Sequence, residues 1–557
     1  MTLAKKNWST YKVIYRTIKL IQMIRPLKRQ KTTDNSNNNN NDDNNTRTNQ
    51  LPKFLSFLRQ NNAVIHPNVS FLQSKSWGLH VLANQPIPAY EPIFQLPLQL
   101  CITYATTQHD ATFNSLLTAA QKSSFLDVEW ERACVYIYLL YQRHLGTTST
   151  WNEYIHILPT IDELESRIAT CYTPATNATN ATNATNATNA LQTNLMNTWI
   201  GQKIIPKHIQ LLDRIHTNIC IPIEKHLNNP NIFTRKQLTW SAGIFHSRAI
   251  MVPNIHNKSS NQRIEAIVPL IDILNHRPGY LSELQRRSTF SSSSTTFSTT
   301  SSTTSSTTTS IPSNEMMEYK VGRTISKDSQ IFLNYGPKAN EDLLSHFGFA
   351  LNNNICDVLH LQLTSTSNEI GLYEGCHLKQ ILDECREAVA TEKKKSQKDD
   401  VDGERRIDGV YDKTAGIGDS NGDSNGDDDN ASVAETTAET SSSSATWFAQ
   451  MMKEEKEGNK NNTIDMSITN IGTPRNKRNE QLALEKLEHI LLEYVDDKVA
   501  VIGTSGAVVD TSAVVDTCSS ITTEIKEDVE IYKNGLKRVA KTILIRVRQL
   551  KEQLKKR

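Results

Sequence analysis

Four groups of polar residues in this 557-residue chain have types and spacing that could do chemistry. Tyr335 stands in FLNYGPKAN, Asn275 and His276 end the run IDILNH, Arg248 closes HSR, and Ser76, Trp77 and Gly78 lie in SKSWGLHVLANQPI. A planar guanidinium offers bidentate, charge-assisted bonds to a carboxylate, which makes Arg248 a candidate anion holder, although a surface helix arginine reads the same way. A lone tyrosine in a strand-like run is by itself an ordinary sheet aromatic. An Asn-His pair after an apolar run otherwise marks a strand leaving the core into a turn. The eight cysteines, at 101, 134, 171, 220, 356, 376, 385 and 518, are scattered with no CxxC pair, and no nucleophile elbow is present. Reduced thiols and an intracellular compartment are the simplest reading, and neither a metal site nor a covalent intermediate is expected.

The elements that must position these residues fall into blocks. Residues 51–104 mix a short helical segment, FLSFLRQN, with strand-like runs such as HVLAN and EPIFQLPLQLCIT, broken by Pro86, Pro88, Pro92 and Pro97. From 111 to 248 the period turns helical, clearest in WERACVYIYLLYQRHL, KHIQLLDRIHTNI and FTRKQLTWSAGIFHSRAI. Strand-like runs return at EAIVPLIDIL, EYKVGRTI and QIFLNY, and beyond 357 the folded segments read as helices: LKQILDECREAVA, EQLALEKLEHILLEYV and EDVEIYKNGLKRVAKTILIRVRQLKEQLKKR.

Much of the remainder is biased in composition. Residues 34–50 are mostly Asn, 174–190 repeat Asn-Ala-Thr, 288–314 are nearly all Ser and Thr, and 386–476 are rich in Asp, Gly, Asn, Ser, Lys and Glu. Setting these aside with the basic first 33 residues and 501–523 leaves roughly 350 residues, enough for one large domain and a smaller one. The sequons at Asn177, Asn180, Asn183 and Asn186 are read as a repeat expansion in a surface loop, and GDSNGDSNGDDDN as an acidic linker whose glycines miss the calcium-loop register. The first 32 residues hold nine Lys or Arg and no acid. A solvated basic tail accounts for them, beside a transit segment or the nuclear-import-like RPLKRQK. The net charge of +2 gives no global reason to propose nucleic acid, and no stretch approaches the ~18 apolar residues of a membrane span. A soluble, cytoplasmic protein is expected, with nucleus or organelle as alternatives.

Taken together and in order, SKSWGLHVLANQPI from Ser74, WNEYIHILP from Trp151, FTRKQLTWSAGIFHSR from Phe233, IVPLIDILNH from Ile267 and IFLNYGPKANEDLLSHFGFALNNNICD from Ile331 resemble the SET-domain protein methyltransferases. Within them the closest likeness is to the branch typified by the Rubisco large-subunit lysine methyltransferase, over roughly residues 51–365. The resemblance implies an α+β fold: a β-rich SET fold with a pseudoknot, interrupted by a helical insertion at about 110–245 and followed by an all-α C-terminal lobe. It divides the chain into a basic and Asn-rich N-terminus (1–50), a SET domain (51–350) and a helical substrate-binding lobe (351–557) carrying the 386–476 insert and the 501–523 loop.

The activity it implies is transfer of a methyl group from S-adenosyl-L-methionine to a lysine of a non-histone protein, by a monomer that engages neither nucleic acid nor membrane. Tyr335 matches the catalytic tyrosine and Phe349 a wall of the aromatic channel. Asn275 and His276 match the cofactor-contacting pair of the pseudoknot, and Arg248 an arginine near the cofactor carboxylate. Asp272, in the same segment as the pair, reads as structural. Ile250 is apolar where the histidine-methylating relative is polar, which favours lysine as acceptor. Where the family has a G-x-G turn, Ser76-Trp77-Gly78 keeps only the second glycine; Gly admits a positive φ at which Ser is strained, so a reshaped turn or weaker cofactor binding is expected. Two other readings are a histidine methyltransferase on the same fold and a catalytically degenerate binding module. A nucleic-acid-binding protein rests only on the basic N-terminus and the final KEQLKKR, and neither shows aromatic interleaving.

Overall fold

The computed structural model describes residues 42–74, 78–171, 195–196, 198–230, 232–256, 262–288, 315–361, 370–374, 376, 378, 381–390, 477–495 and 523–556. The expectations on the basic N-terminus, the Asn-Ala-Thr array, the Ser/Thr tract and the acidic linker lie outside the described residues, as do Ser76 and Trp77; the Asn-rich stretch 34–50 is corrected in its last part, where the helix Asp42–Gln60 begins.

The central sheet is antiparallel, with β1 (Val64–Ile65), β4 (Pro92–Pro97), β9 (Glu315–Val321) and β8 (Ser282–Ser288) side by side in that order. Its prolines stand at the two ends of β4, where a missing N–H costs the ladder least. Strand β9 is the buried middle strand: Met317, Tyr319 and Val321 are core residues. On its opposite face stands Glu318, a wholly buried carboxylate whose neighbours explain it. Gln95 of β4 and Gln285 of β8 are its cross-strand partners and donate to it at 2.6 and 2.9 Å. Lys320 and Arg287 add ion pairs at 2.6 and 2.8 Å.

Burial by itself would raise the pKa of Glu318, but these four donors outweigh it and hold the carboxyl at about 2. The folded pKa lies below the ordinary value of 4.5, so the stabilisation is complete above that value and is lost as pH falls through it towards 2. The shift corresponds to about 3 kcal/mol. A Glu318→Gln variant is expected to lose stability of that order at neutral pH and to show a flatter acid limb in denaturant titrations at stepped pH. An unchanged acid limb would place the acid sensitivity elsewhere.

Two hairpins flank this sheet, β2 (Val69–Ser74) with β3 (Gly78–Ala83), and β5 (Ile250–Pro253) with β6 (Arg263–Ala266). The helical insertion is tied to the second hairpin where Arg132 of the Asp127–Leu145 helix pairs with Glu265 of β6 at 2.7 Å; that helix buries residues on nearly every side because the Arg235–Arg248 helix covers it. The latter starts at a capping box: Thr234 Oγ1 accepts from the Gln237 N–H, and Gln237 Oε1 accepts from the Thr234 N–H.

The run EAIVPLIDIL is strand only as far as Ala266. Pro269 has no N–H for a ladder, Leu270 turns at φ 81°, and Ile271–Ile273 form a single 3₁₀ turn; Ile267 retains an isolated bridge to Ile102. The expected all-α C-terminal part is likewise corrected, since β11 (Leu359–Leu361) and β12 (Ile370–Leu372) form an antiparallel pair. In VLHLQL the alternation is too short to separate strand from helix by period. The helix at 381–390 also carries ordered chain past 386, and Arg386 clamps Glu480 with two bonds of 2.7 Å. The strand pair, this helix, Lys477–Val495 and Thr523–Lys556 share a second core, in which Leu487, Leu491, Val539, Ile543 and Val547 are buried.

A buried apolar cluster of Ala169, Leu344, Val529 and Tyr532 and a polar knot both tie the last helix to the first part of the chain. Asn340, the last residue of YGPKAN, donates its backbone N–H to Asp357 Oδ1 (3.1 Å) and its side-chain amide to Leu351 O (3.0 Å). Arg538, on the last helix, reaches Asp357 at 3.0 Å and Glu374 at 2.6 Å. Gly535, one turn earlier, faces the same carboxylate: a Cβ there would lie 2.2 Å from Asp357 Oδ2.

Candidate active site

The site is built where two short strands pair side by side. Strand β7 (Asn275–His276) runs parallel to β10 (Phe332–Leu333), with Asn275 opposite Phe332 and His276 opposite Leu333. This places Tyr335, two residues past β10, over the end of β7. Its N–H donates to His276 Nδ1 (3.1 Å), its ring stacks on the imidazole at 4.8 Å, and its hydroxyl donates to Leu274 O (2.7 Å). Backbone, ring and hydroxyl of the tyrosine are thus all fixed by one three-residue stretch. Burial lowers the His276 pKa to about 4, with the bond to the Leu333 backbone working the other way and Lys338 adding to the fall. A neutral imidazole follows, as its acceptor role towards Tyr335 requires. Burial likewise lifts the Tyr335 phenol well above its ordinary range, despite the opposing pull of Arg248, so the hydroxyl keeps its proton.

Beneath the tyrosine lies a buried charge cluster. Arg248, the last residue of its helix, donates from Nη1 to Asp272 Oδ2 (2.8 Å), and the Tyr154 hydroxyl donates to the same oxygen (2.6 Å). Asp272 is held by the 3₁₀ turn at Ile271–Ile273, and Tyr154 comes from WNEYIHILP. That segment is itself tied to the Arg248 helix, whose Trp240 indole donates to Pro159 O (2.8 Å). Burial opposes the charge of Arg248, but Asp272 outweighs it and raises the guanidinium pKa. Asp272 Oδ1 is buried and has no hydrogen-bond partner among the described residues.

Arg248, Ile250, Asp272, Asn334, Tyr335 and Phe347 line one cleft of about 2940 Å³. Phe347 stands against Tyr335 at 5.0 Å, and Phe349 meets both Phe347 and His276 at 6.4 and 6.3 Å. Behind Phe347, three imidazoles pack ring to ring, His346 on His246 at 4.9 Å and His246 on His208 at 5.6 Å; burial lowers the pKa of each, and repulsion from His346 adds to the fall at His246 and His208. Tyr136 bonds His246 at 2.9 Å.

Tyr335, Asn275, His276, Arg248, Ile250 and Phe349 therefore converge from distant stretches of sequence. Gly78 sits at φ 61° with open space around its α-carbon, so the turn conformation calls for glycine there. It begins β3, which packs against the Asp272 turn. Sequence reasoning missed Tyr154, Phe347 and the three histidines, and read Asp272 as structural without its two partners. HFGF held the signal for Phe347, as a second aromatic two residues before Phe349. No group of three or more His, Cys, Asp or Glu able to hold a metal occurs among the described residues.

No family model matches the chain. Ribosomal lysine N-methyltransferase set10 of Schizosaccharomyces pombe is 26% identical over 324 residues, 56% of this chain and 48% of that protein, so the chain matches about half of its relative's length. Among solved structures, the SET domain of LSMT bound to lysine and AdoHcy aligns with a TM-score of 0.53 at 13% identity, covering 91% of this chain and 93% of that one. The same domain bound to MeLysine and AdoHcy gives 0.51 at 14% identity with the same coverage. The chain has the fold of the LSMT SET domain, as the resemblance carried by its motifs implies.

Proposed function

We propose that the chain is an S-adenosyl-L-methionine-dependent protein-lysine N-methyltransferase acting on a non-histone protein. The observation that carries this reading is the fixed Tyr335 hydroxyl at the Leu274 carbonyl, on a cleft shared with the Arg248–Asp272 pair. The ribosomal relative makes ribosomal protein the first acceptor to try.

The residues present suit the cofactor. Arg248 commits one nitrogen to Asp272, and a guanidinium has five N–H donors, so it retains capacity for a carboxylate. The bare Asp272 Oδ1 is a buried acceptor beside it, which suits the ammonium of the same amino-acid group. Asn275, His276 and the turn of Ser76, Trp77 and Gly78 would hold the remainder, with residues 275–276 threaded as in the family's pseudoknot. When bound, the cofactor supplies an electrophilic methyl on a sulfonium.

The protein's own part is positional. An acceptor amine must lie in line with that methyl at about 3–3.5 Å, and the enclosed geometry supplies most of the rate. The neutral Tyr335 hydroxyl, spending its proton on Leu274 O, offers lone pairs to the amine N–H and aims the nitrogen. Lysine must also lose its proton from a pKa of about 10.4, and an apolar channel walled by Phe347, Phe349 and Ile250 next to positive charge favours the neutral amine.

The test is transfer of labelled methyl to proteins of a hypomethylated lysate, followed by acid hydrolysis of the product. Methyl-lysine is expected. Methyl-histidine would reassign the acceptor, and a purified chain that fails to bind S-adenosyl-L-methionine at millimolar concentration would overturn the proposal.

A further inference from the structure

Arg277, in the turn after His276, and Arg323, in the turn after β9, carry charges that no carboxylate answers among the described residues. Arg277 Cζ lies 5.5 Å from the Phe332 ring centroid and Arg323 Cζ 4.6 Å from that of Tyr280, while the two rings meet edge-on at 5.6 Å. The order of contacts is cation, ring, ring, cation, so stacking holds both guanidinium groups in place. Neither forms an ion pair among the described residues, and the neighbouring Lys320 is taken by Glu318. Two like charges kept close without a counter-ion are costly unless something negative visits them.

Beside Arg323 the surface turns apolar. Gly322 donates its N–H to Leu281 O (2.7 Å) and Tyr90 donates its own to Val321 O (2.8 Å), which sets Leu281 and Tyr90 on either side of the glycine, 64% and 61% exposed. Tyr90 stands at φ 63°, a conformation strained for any residue with a Cβ, and gains little burial there.

The patch continues the rim of the cleft. Arg277 follows His276, on which Tyr335 stacks, and donates its N–H to Leu333 O (3.1 Å). Asn334 donates its N–H to Ser282 Oγ (3.4 Å), and both residues line the cleft. We propose that this patch docks the protein acceptor through an acidic segment, with Asp or Glu side chains on Arg277 and Arg323 and an apolar neighbour against Tyr90 and Leu281. The inference rests on the methyltransferase reading and adds the chemistry of the substrate to it. A nucleic-acid backbone would satisfy the arginines but leave Tyr90 and Leu281 without a contact, whereas a mixed acidic and apolar peptide uses all four.

The experiment measures fluorescence anisotropy of the full chain with short labelled peptides, each holding one lysine, a leucine and either two glutamates or two glutamines. The glutamate peptides are expected to bind the wild type about tenfold more tightly than the glutamine isosteres. An Arg277→Glu/Arg323→Glu variant, shown to be folded by unchanged S-adenosyl-L-methionine binding, is expected to lose that preference, and Tyr90→Asn to weaken both peptides alike. Equal binding of the two peptide types by the wild type, or a glutamate preference that survives the double reversal, overturns the proposal. So does a single-stranded RNA oligonucleotide whose binding, and not that of the peptides, is lost in the double variant. The methyltransferase reading is tested separately by the lysate transfer and cofactor-binding measurements above, so docking that depends on glutamate in a chain that binds no S-adenosyl-L-methionine leaves the patch standing and removes that reading.

Discussion

Tyr335→Phe is expected to cut single-turnover methyl transfer by about a hundred- to a thousandfold, the usual cost of removing one polar group from a preorganised reacting centre. Cofactor affinity should change little, because the ring contacts with His276 and Phe347 and the backbone bond to His276 Nδ1 do not involve the hydroxyl. The substitution leaves the Leu274 carbonyl without the phenol proton, so a small loss of thermal stability accompanies it. Transfer that persists near the wild-type rate would remove Tyr335 from the chemistry and leave it as a packing residue. No direct pH effect from the phenol is expected below its raised pKa, so any neutral-range limb of the rate profile belongs to another group, the acceptor lysine first.

The second large effect concerns the charge cluster below the tyrosine. Arg248→Met deletes the only cation bonded to the buried Asp272 among the described residues, leaving the carboxylate with the Tyr154 hydroxyl alone. Removing one partner of a buried pair costs about 3–5 kcal/mol, because the charge left behind stays desolvated. The expected readout is a clear fall in the denaturant midpoint of the first unfolding transition. Adding Asp272→Leu should restore most of that stability, since replacing both charges by apolar groups avoids the penalty. Cofactor binding should remain lost in the double variant. If stability and binding recover together, the pair serves folding alone; if the single variant is as stable as wild type, the cluster contributes no net stability.

Much of this was readable from particular residues before any coordinates. The tyrosine, the Asn-His pair and the arginine were recognisable because each lies in a short segment whose neighbours are also constrained: the Trp240 bond to Pro159, the capping box at Thr234 and the knot at Asn340 are the physical content of those segments. What escaped was set by tertiary partners. Tyr154 matters through an oxygen 118 residues away, and period and propensity carry no information about such a pairing. The same holds for Glu318, whose burial looks like an error in EMMEYKV until Gln95 and Gln285 are placed opposite it. Short strands such as β10 and β11 were over- or under-read because two or three residues cannot display a period.

The knot at Asp357 bears on how such chains diversify. Asn340 lies five residues beyond Tyr335, and the carboxylate it grips is also held by Arg538 and crowded by Gly535 on the last helix. C-terminal halves therefore cannot be exchanged at will. A chimera that brings a foreign last helix with any larger residue at 535, or without a cation at 538, would press on or release Asp357 and so shift the segment that carries the tyrosine. The two halves are mechanically coupled, and recombination that keeps the coupling must carry positions 340, 357, 535 and 538 together.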